Sequence, residues 1–184
     1  MVTADWGGFG GSKQYPMGDL ALTYPRSSVD YGLDPQHRRQ VMSQEEVERI
    51  DDQGMAAWDR HDADTIAALL ADDFAWTDVT LPEPMRTKDQ ARQYAQAWFT
   101  AFPDMRVRQT NRIVSDDAVA AELEFTGTNS GPMMMAGREI PPTGKSVRGR
   151  GAYLARIAGG KIVQFSTHPD VAGLMMQLGL MPEM

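Results

Sequence analysis

The sequence contains no cysteine and only three histidines in 184 residues. The lack of cysteine excludes disulfide bonds, thiolate nucleophiles and cysteine-ligated metal centres. His37, His61 and His168 do not form the HxH or HExxH patterns that are typical of zinc sites. We therefore expect a protein without a bound metal or cofactor.

The chain also lacks long apolar runs and clusters of basic residues. No apolar run reaches the roughly 18 residues that a membrane span requires. The net charge of −7 offers no positive surface for a nucleic-acid backbone. The N-terminus lacks the charged region and apolar stretch of a secretion signal. These absences predict a cytoplasmic protein that binds neither membranes nor nucleic acids.

Length and composition predict one domain with an appended arm. The 184 residues, 42% of them apolar, suffice for one ordinary core but not comfortably for two. Residues 1–42 show neither helical nor strand periodicity, so we interpret them as an irregular arm ahead of a domain at 43–184. The arm either packs on the domain or a second subunit, or is disordered. The aromatic residues that favour packing are Trp6, Phe9, Tyr15, Tyr24 and Tyr31.

The first half of the domain has the pattern of helices. Ser43 and Glu46 can form a capping box, which predicts a first helix that runs to about Arg60. A second, short helix is expected to follow it. Residues 88–102 carry alanine and aromatic side chains at helical spacing, and Pro103 ends this third helix.

The second half has the pattern of strands. A first strand is predicted where Phe74, Trp76 and Asp78 alternate with other residues. After residue 105, alternating runs predict an antiparallel meander with a tight turn at Gly159 and Gly160, and a last helix follows. Helices before a meander predict an α+β fold in which a curved antiparallel sheet wraps around helices.

Five groups of short motifs follow each other along this domain. They are Phe102-Pro103-Asp104; Gly127-Thr128 with Ser130-Gly131; Ile140-Pro141-Pro142-Thr143-Gly144; Arg156-Ile157 with Gly160-Lys161-Ile162; and Pro169-Asp170 with Gln177-Leu178-Gly179. In this order they resemble the SnoaL-like polyketide cyclases of the nuclear-transport-factor-2-like (NTF2-like) superfamily. The resemblance covers residues 43–180. It implies a cone-shaped barrel around an apolar pocket, usually a homodimer, and chemistry from aldol ring closure to dehydration, isomerisation and epoxide opening.

The chain departs from this family at two positions. The aldol-type members use an Asp near the end of the last strand and a His on the neighbouring strand. The matching positions here are Thr167 and Tyr153. A threonine hydroxyl does not act as a base near neutral pH without a base beside it. We therefore expect the pocket to be retained without the same mechanism.

Strand alternation selects Asp78 as the leading catalytic residue. Asp78 shares its parity with Phe74 and Trp76, so a regular strand directs it into the pocket. Burial against Trp76 and Trp98 is expected to raise its pKa into the range of acid-base catalysis. In the alternative interpretation the strand ends at Thr77, and Asp78 belongs to a polar turn.

The last two strands supply the other catalytic candidates. Val163, Phe165 and Thr167 are predicted to face inward, as is Tyr153 on the preceding strand. The Tyr153 hydroxyl could donate to a developing oxyanion or bond to Thr167. His168 faces away by alternation, and it is a secondary candidate that needs a bulge to reach the pocket.

Aromatic side chains are expected to line the substrate pocket, although such stripes are often plain core. The substrate-binding candidates are Trp58, Trp76, Tyr94, Trp98, Phe125 and Phe165. Residues 133–135 form a methionine-rich loop that is either a lid over the pocket or merely exposed. His61 is expected to be a solvated loop residue, and Asp170 a helix cap. Charged residues of the meander are expected on the outer face in a cross-strand salt-bridge ladder.

These features lead to two hypotheses. The first is a cofactor-independent enzyme that cyclises, isomerises or dehydrates a hydrophobic, oxygenated small molecule such as a polyketide or terpenoid intermediate. Asp78 would move the proton, and Tyr153 and Thr167 would bind the oxygen. The alternative is a non-catalytic module that binds a hydrophobic metabolite or a partner. Epoxide opening by an Asp-Arg-Asp relay ranks lower, because alternation places every sheet arginine outside.

Overall fold

A computed structural model describes residues 42–135 and 138–181 of the chain. The predicted arm lies outside these residues, except for residue 42, so its interpretation stays a prediction. The helices are α1 (Gln44–Asp59), α2 (Ala63–Leu69), α3 (Lys88–Ala101) and α4 (Val171–Leu178). The strands are β1 (Leu70–Asp78), β2 (Arg106–Val114), β3 (Ala118–Thr128), β4 (Met133–Met135), β5 (Arg138–Ile140), β6 (Ser146–Ala158) and β7 (Lys161–Pro169).

The helices begin where local capping chemistry fixes them. The Ser43 side chain accepts a hydrogen bond from the backbone of Glu46, whose carboxylate reaches back to the Ser43 backbone. This confirms the predicted capping box at the start of α1. Thr87 and Gln90 form a second capping box at α3. Asp170 caps α4 by accepting from the Gly173 backbone at 2.9 Å, as predicted.

The main sheet has the strand order β1-β7-β6-β3-β2. Its pairs are antiparallel except for β1 with β7, which run parallel. The sheet is curved and not closed, and α1, α2 and α3 cover one of its faces. The predicted α+β fold, in which a curved and mainly antiparallel sheet packs against helices, is therefore confirmed, with an open sheet in place of a complete barrel. The face toward these helices is called the inner face below.

A bulge in β2 changes which side chains face inward. Gln109 pairs with Leu123 and Asn111 with Glu122, so Thr110 is an extra residue in the strand. Gln109 and Arg112 therefore lie on the inner face together, which strict alternation does not allow. The prediction that every sheet arginine lies outside is wrong for Arg112.

A second bulge occurs at the start of β7. Ile157 pairs with Ile162, but Arg156 pairs with Gln164, which leaves Val163 as the extra residue. Ile162 therefore lines the inner cavity, and Val163, although buried, does not. The predicted inward direction of Val163 is wrong, whereas Phe165 and Thr167 face inward as predicted.

The methionine-rich segment is a strand and not a loop. Residues of β4 pair with β5 in a separate two-stranded sheet. The Met133 side chain is buried in the hydrophobic core, and Met134 is exposed. Neither lines the cavity, so the lid alternative does not hold for these two side chains, and the exposure of Met134 fits the other alternative.

Charged side chains form the expected ladder on the outer face of the sheet. Glu124 of β3 lies between Arg108 of β2, at 3.1 Å, and Arg148 of β6, at 3.7 Å.

The prediction that His61 is a solvated loop residue is wrong, because its ring stacks on Phe99 with 4.6 Å between centroids. Its Nε2 atom also lies 2.9 Å from the Met105 carbonyl oxygen. His61 is thus a packed residue of the α1–α2 turn.

Candidate active site

A cavity of about 130 Å³ lies between the inner face of the sheet and helices α1 to α3. Most of its lining is apolar. All six aromatic residues proposed as substrate contacts belong to the lining: Trp58, Trp76, Tyr94, Trp98, Phe125 and Phe165. The structure places all six around this cavity, and their role as substrate contacts stays a prediction.

Trp76 is the centre of the aromatic wall. Its ring contacts Trp58, Tyr94 and Phe165 edge to face, with centroids 6.3, 5.2 and 4.9 Å apart. Edge-to-face contacts are favourable because the positive edge of one ring meets the negative face of the next. The wall is therefore held in a defined shape by its own packing.

Asp78 is the last residue of β1, and its side chain enters the cavity wall. The strand extends through Asp78, which is only 1% exposed, and its burial alternates from Phe74 to Asp78. The alternative in which the strand ends at Thr77 and Asp78 belongs to a polar turn therefore does not apply. Asp78 Oδ2 accepts hydrogen bonds from the Tyr94 hydroxyl at 2.7 Å and from Thr167 Oγ1 at 2.6 Å. Oδ1 accepts from the Thr80 backbone at 2.8 Å and from the Thr80 hydroxyl. Four donors thus fill the acceptor positions of one carboxylate.

These hydrogen bonds decide the protonation state of Asp78. Burial alone would raise its pKa, but the bonds from Thr167, Thr80 and Tyr94 outweigh burial and lower the pKa below its usual value. The expected upward shift is therefore wrong, because the carboxylate is buried among donors and not against apolar groups alone. Asp78 is ionised near neutral pH.

Thr167 connects Asp78 to the aromatic wall. It lies opposite Asp78 in the parallel β1–β7 pair and opposite Tyr153 in the β6–β7 pair. Its hydroxyl accepts a hydrogen bond from Trp76 Nε1 at 3.2 Å and donates its own proton to Asp78. The orientation of the Thr167 hydroxyl is thereby fixed from both sides.

A second carboxylate lines the same cavity, and the sequence interpretation missed it. Asp51 of α1 is 6% exposed. Its Oδ1 accepts from the Tyr153 hydroxyl at 2.6 Å, and its Oδ2 accepts from Gln109 Nε2 at 2.6 Å and from Arg112 at 3.1 Å. Gln109 Nε2 also donates to the Tyr153 hydroxyl oxygen. Arg112 has a further partner in the exposed Asp52, at 2.6 Å.

One sequence signal could have found Asp51. It lies four residues after Val47 and seven before Trp58, so it falls on the apolar stripe of α1. A charged residue on such a stripe must be buried with partners. Two of those partners, Gln109 and Arg112, face inward together only because of the β2 bulge, for which the sequence offers no comparable signal.

The hydroxyl proton of Tyr153 is engaged by Asp51. Burial and the negative charge of Asp51 raise the pKa of Tyr153, so the phenol stays protonated. Its predicted donation to an oxyanion would require this bond to break. Burial and the charge of Asp78 likewise raise the pKa of Tyr94, whose hydroxyl donates to Asp78 Oδ2.

His168 borders the cavity, but its imidazole does not join the polar groups inside. The ring is exposed and its Nε2 lies 2.6 Å from Ser166 Oγ. Ser166 pairs with Thr77 and Leu154, both exposed, so this contact is on the outer face of the sheet. The structure does not bring His168 to Asp78, Thr167 or Tyr153.

Two further findings concern the part of the chain that the structure covers. Among residues 42–135 and 138–181, no cluster of three or more histidine, aspartate and glutamate side chains is arranged to hold a metal ion. None of the helices described here is long and apolar enough to cross a membrane.

Solved structures share this fold at low sequence identity. AclR from Streptomyces galilaeus is 23% identical with a TM-score of 0.66, and the match covers 77% of this chain and 86% of AclR. IdmH from Streptomyces antibioticus is 24% identical with a TM-score of 0.59, over 72% of this chain and 97% of IdmH. An LEH-like epoxide hydrolase from M. tuberculosis is 17% identical with a TM-score of 0.55, over 73% and 90%. The likeness establishes the NTF2-like fold alone.

The sequence places the chain more narrowly within this fold. The family model of the SnoaL-like polyketide cyclases matches residues 32–178. The protein therefore belongs to the SnoaL-like polyketide cyclase family. None of the curated proteins compared with the chain matches it in sequence. The family match begins within the segment interpreted above as the arm.

Proposed function

We propose that the protein is a cyclase or isomerase that acts, without a cofactor, on a hydrophobic, oxygenated intermediate such as a polyketide or terpenoid. The observation that carries this proposal is the ionised Asp78 carboxylate in the wall of an apolar cavity, where it is held by the Tyr94 and Thr167 hydroxyls. Membership of the SnoaL-like polyketide cyclases supports the same reaction class.

Substrate binding would activate Asp78 by an exchange of hydrogen bonds. A substrate carbonyl oxygen accepts the Tyr94 proton in place of Asp78 Oδ2, which leaves a lone pair of Oδ2 free. Because the bond from Tyr94 helps to lower the pKa of Asp78, its loss raises that pKa and makes the carboxylate a stronger base. The base is thus activated only when a carbonyl group occupies the site.

The proton and electrons can then be followed through the reaction. Asp78 takes a proton from the carbon next to the carbonyl, and the C–H electron pair forms an enolate whose oxygen charge is stabilised by the Tyr94 hydroxyl. In ring closure the enolate carbon bonds to a second carbonyl carbon, and Asp78 returns the proton to the resulting alkoxide. In isomerisation Asp78 returns the proton to a different carbon. Both products have the mass of the substrate.

The apolar walls would contribute by holding a flexible substrate in a reactive shape. Fixing two reacting groups beside each other removes much of the entropic barrier to ring closure. Trp76 and Phe165 flank Thr167, so a folded substrate would rest on them with its carbonyl at Asp78. A homodimer, as implied by the family, is part of this proposal.

Mass spectrometry of a metabolite extract from the source organism tests the proposed function. The extract is compared before and after incubation with the purified protein. Conversion of a metabolite to an isomer of equal mass is the expected result, and loss of the new hydroxyl as water after ring closure would give a product lighter by one water. Retention of one compound unchanged on the protein would overturn the catalytic proposal.

A non-catalytic binding module is a second candidate, and one observation favours it. Asp78 already accepts four hydrogen bonds from its own protein, which is an arrangement suited to a structural carboxylate. The two candidates differ in their response to pH, since catalysis by a carboxylate titrates and sequestration by apolar contacts need not. An epoxide-opening relay has less support, because the inward Arg112 is paired with Asp51 and Asp52 and does not line the cavity.

A further inference from the structure

We infer that Asp51 and Tyr153 form a second polar site in the cavity that binds a hydroxyl group of the substrate. The substrate class is then an apolar molecule with a hydroxyl at a distance from the carbonyl that reacts at Asp78. This inference rests on the proposed function for the reacting end. It assigns a ligand to a polar cluster of the cavity that the proposed reaction does not use.

Asp51 with its partners Tyr153, Gln109 and Arg112, called the Asp51 cluster, is energetically unfavourable in an apolar interior. Taking charged groups out of water has a desolvation penalty that their mutual attraction often fails to recover. A leucine on the apolar stripe of α1 would have filled the same position without that penalty. Asp51 nevertheless borders the cavity beside the Tyr153 hydroxyl. A ligand-binding role accounts for a buried carboxylate at this position.

The hydrogen-bond inventory shows which ligand group this site favours. Among the described residues, Asp51 Oδ2 accepts from Gln109 and Arg112, whereas Oδ1 accepts from Tyr153. The Tyr153 oxygen donates its single proton to Asp51 and accepts from Gln109. Gln109 and Arg112 do not line the cavity. Asp51 Oδ1 and the Tyr153 oxygen thus have spare lone pairs but no spare proton, so they favour a donor such as a hydroxyl over a carbonyl or an ether.

The cavity wall between this hydroxyl site and the Asp78 site is formed by the rings of Phe165 and Trp76 and by Thr167, whose hydroxyl is already bonded to Trp76 and Asp78. The ring of Tyr153 contacts Phe165 at 5.3 Å between centroids, Phe165 contacts Trp76 at 4.9 Å, and Trp76 contacts Tyr94 at 5.2 Å. A substrate that reaches both ends must therefore have an apolar middle. The two ends select opposite groups, a hydroxyl at Asp51 and a carbonyl at Tyr94, and this pairing would set the direction in which the substrate binds.

Phenol and toluene are suitable probes because they have the same number of heavy atoms. They differ only in that phenol carries a hydroxyl group where toluene carries a methyl group. A cavity of about 150 Å³ in another protein binds benzene, so the cavity of about 130 Å³ here is of the right order for one ring. Trp58, Trp76 and Trp98 line it, so tryptophan fluorescence reports occupancy. The readout is the ratio of the two dissociation constants, toluene over phenol. Neither probe reacts, so the result is independent of turnover at Asp78.

Asp51→Asn is the test variant and Asp52→Asn is its matched control. In Asp51→Asn the amide oxygen faces Gln109 and Arg112, which turns the amide NH2 group toward Tyr153 and replaces the acceptor by a donor. The toluene-over-phenol ratio is expected to fall about tenfold, since a bond to a charged acceptor is lost. Asp52 is exposed, touches Arg112 and lies outside the cavity, so Asp52→Asn should leave the ratio within about twofold.

The inference is overturned if the ratio is unchanged in Asp51→Asn, if Asp52→Asn lowers it equally, or if neither probe binds. Should Asp51→Asn fail to fold, nuclear Overhauser effects on the unaltered protein decide the question. Bound phenol should show contacts to the Tyr153 ring, and contacts to the Tyr94 ring instead would overturn the inference. Failure here leaves the proposed reaction at Asp78 standing, because that reaction is tested separately by turnover.

Discussion

The Tyr94 hydroxyl donates a 2.7 Å hydrogen bond to the Asp78 carboxylate inside the wall of an apolar cavity. Tyr94 comes from the middle of α3 and Asp78 from the end of β1, so the bond joins the helical layer to the sheet. The hydroxyl helps to lower the pKa of the carboxylate, and in the proposed reaction it leaves the carboxylate for a substrate oxygen. This pair is the centre of the proposed reaction.

Tyr94→Phe should reveal the energetic coupling of this pair. The variant leaves a buried carboxylate with one donor fewer, and we expect a loss of about 1–3 kcal/mol in the free energy of unfolding. In the Asp78→Asn background the same substitution should have a smaller effect, since no charged acceptor remains. Urea unfolding of the two single variants and the double variant measures the coupling. Additive effects would show that Tyr94 does not stabilise the charged form of Asp78.

Acid should destabilise the protein partly through Asp78. Its folded-state pKa is lowered, so its contribution to stability is present above the unfolded-state pKa of about 3.9. That contribution is lost as the pH falls through the lower, folded-state pKa. Free energies of unfolding at pH 6 and at pH 3 should differ less in Asp78→Asn than in the unaltered protein. An equal pH dependence in both proteins would contradict the lowered pKa.

The neighbours Asp51 and Asp52 should differ sharply in their importance for stability. Asp51→Ala removes the buried partner of Arg112, Gln109 and Tyr153, and we expect a loss of about 3–5 kcal/mol. Asp52→Ala removes an exposed partner of the same arginine, for which we expect a loss below about 1 kcal/mol. Chemical denaturation of both variants provides the comparison. Similar losses in the two variants would show that the Asp51 cluster is not effectively buried.

Gly149, beside a cavity-lining ring, and Gly54, within a helix, should respond in opposite ways to alanine. A Cβ atom at Gly149 would lie 1.9 Å from the ring of Phe125, so Gly149→Ala must displace a cavity-lining side chain. We expect a loss of about 1–3 kcal/mol from overpacking. At Gly54, inside α1, the nearest atom would be 3.8 Å away, so Gly54→Ala should gain up to about 1 kcal/mol through helix propensity. Thermal unfolding distinguishes the two, and stabilisation by Gly149→Ala would contradict the packing described here.

The sequence predicted the position of Asp78 in the cavity wall because the local structure there is regular. β1 keeps its alternation from Phe74 through Asp78, so the parity of Asp78 was a valid guide to its direction. Its pKa could not be predicted in the same way. The donors Tyr94 and Thr167 come from α3 and β7, and only the folded arrangement shows that they reach one carboxylate oxygen.

The other end of the cavity depends on features that alternation does not contain. The extra residue Thr110 turns Gln109 and Arg112 to the same face. Because Val163 is the extra residue of β7, Ile162 lines the cavity and Val163 does not. A bulge moves every later side chain of a strand to the opposite face. A search for charged residues on apolar helix stripes would have found Asp51, but not its partners Gln109 and Arg112.

The turnover of Asp78→Asn tests the central claim most directly, with Asp72→Asn as a control on the same strand. Asp72 is exposed and pairs with Lys88 at 2.6 Å, so its substitution has the same chemistry outside the cavity. With the substrate found in the metabolite extract, Asp78→Asn should lose about 100-fold or more in rate while binding stays within a few fold, and Asp72→Asn should keep full activity. Unchanged turnover in a folded Asp78→Asn protein would contradict the claim that Asp78 moves the proton.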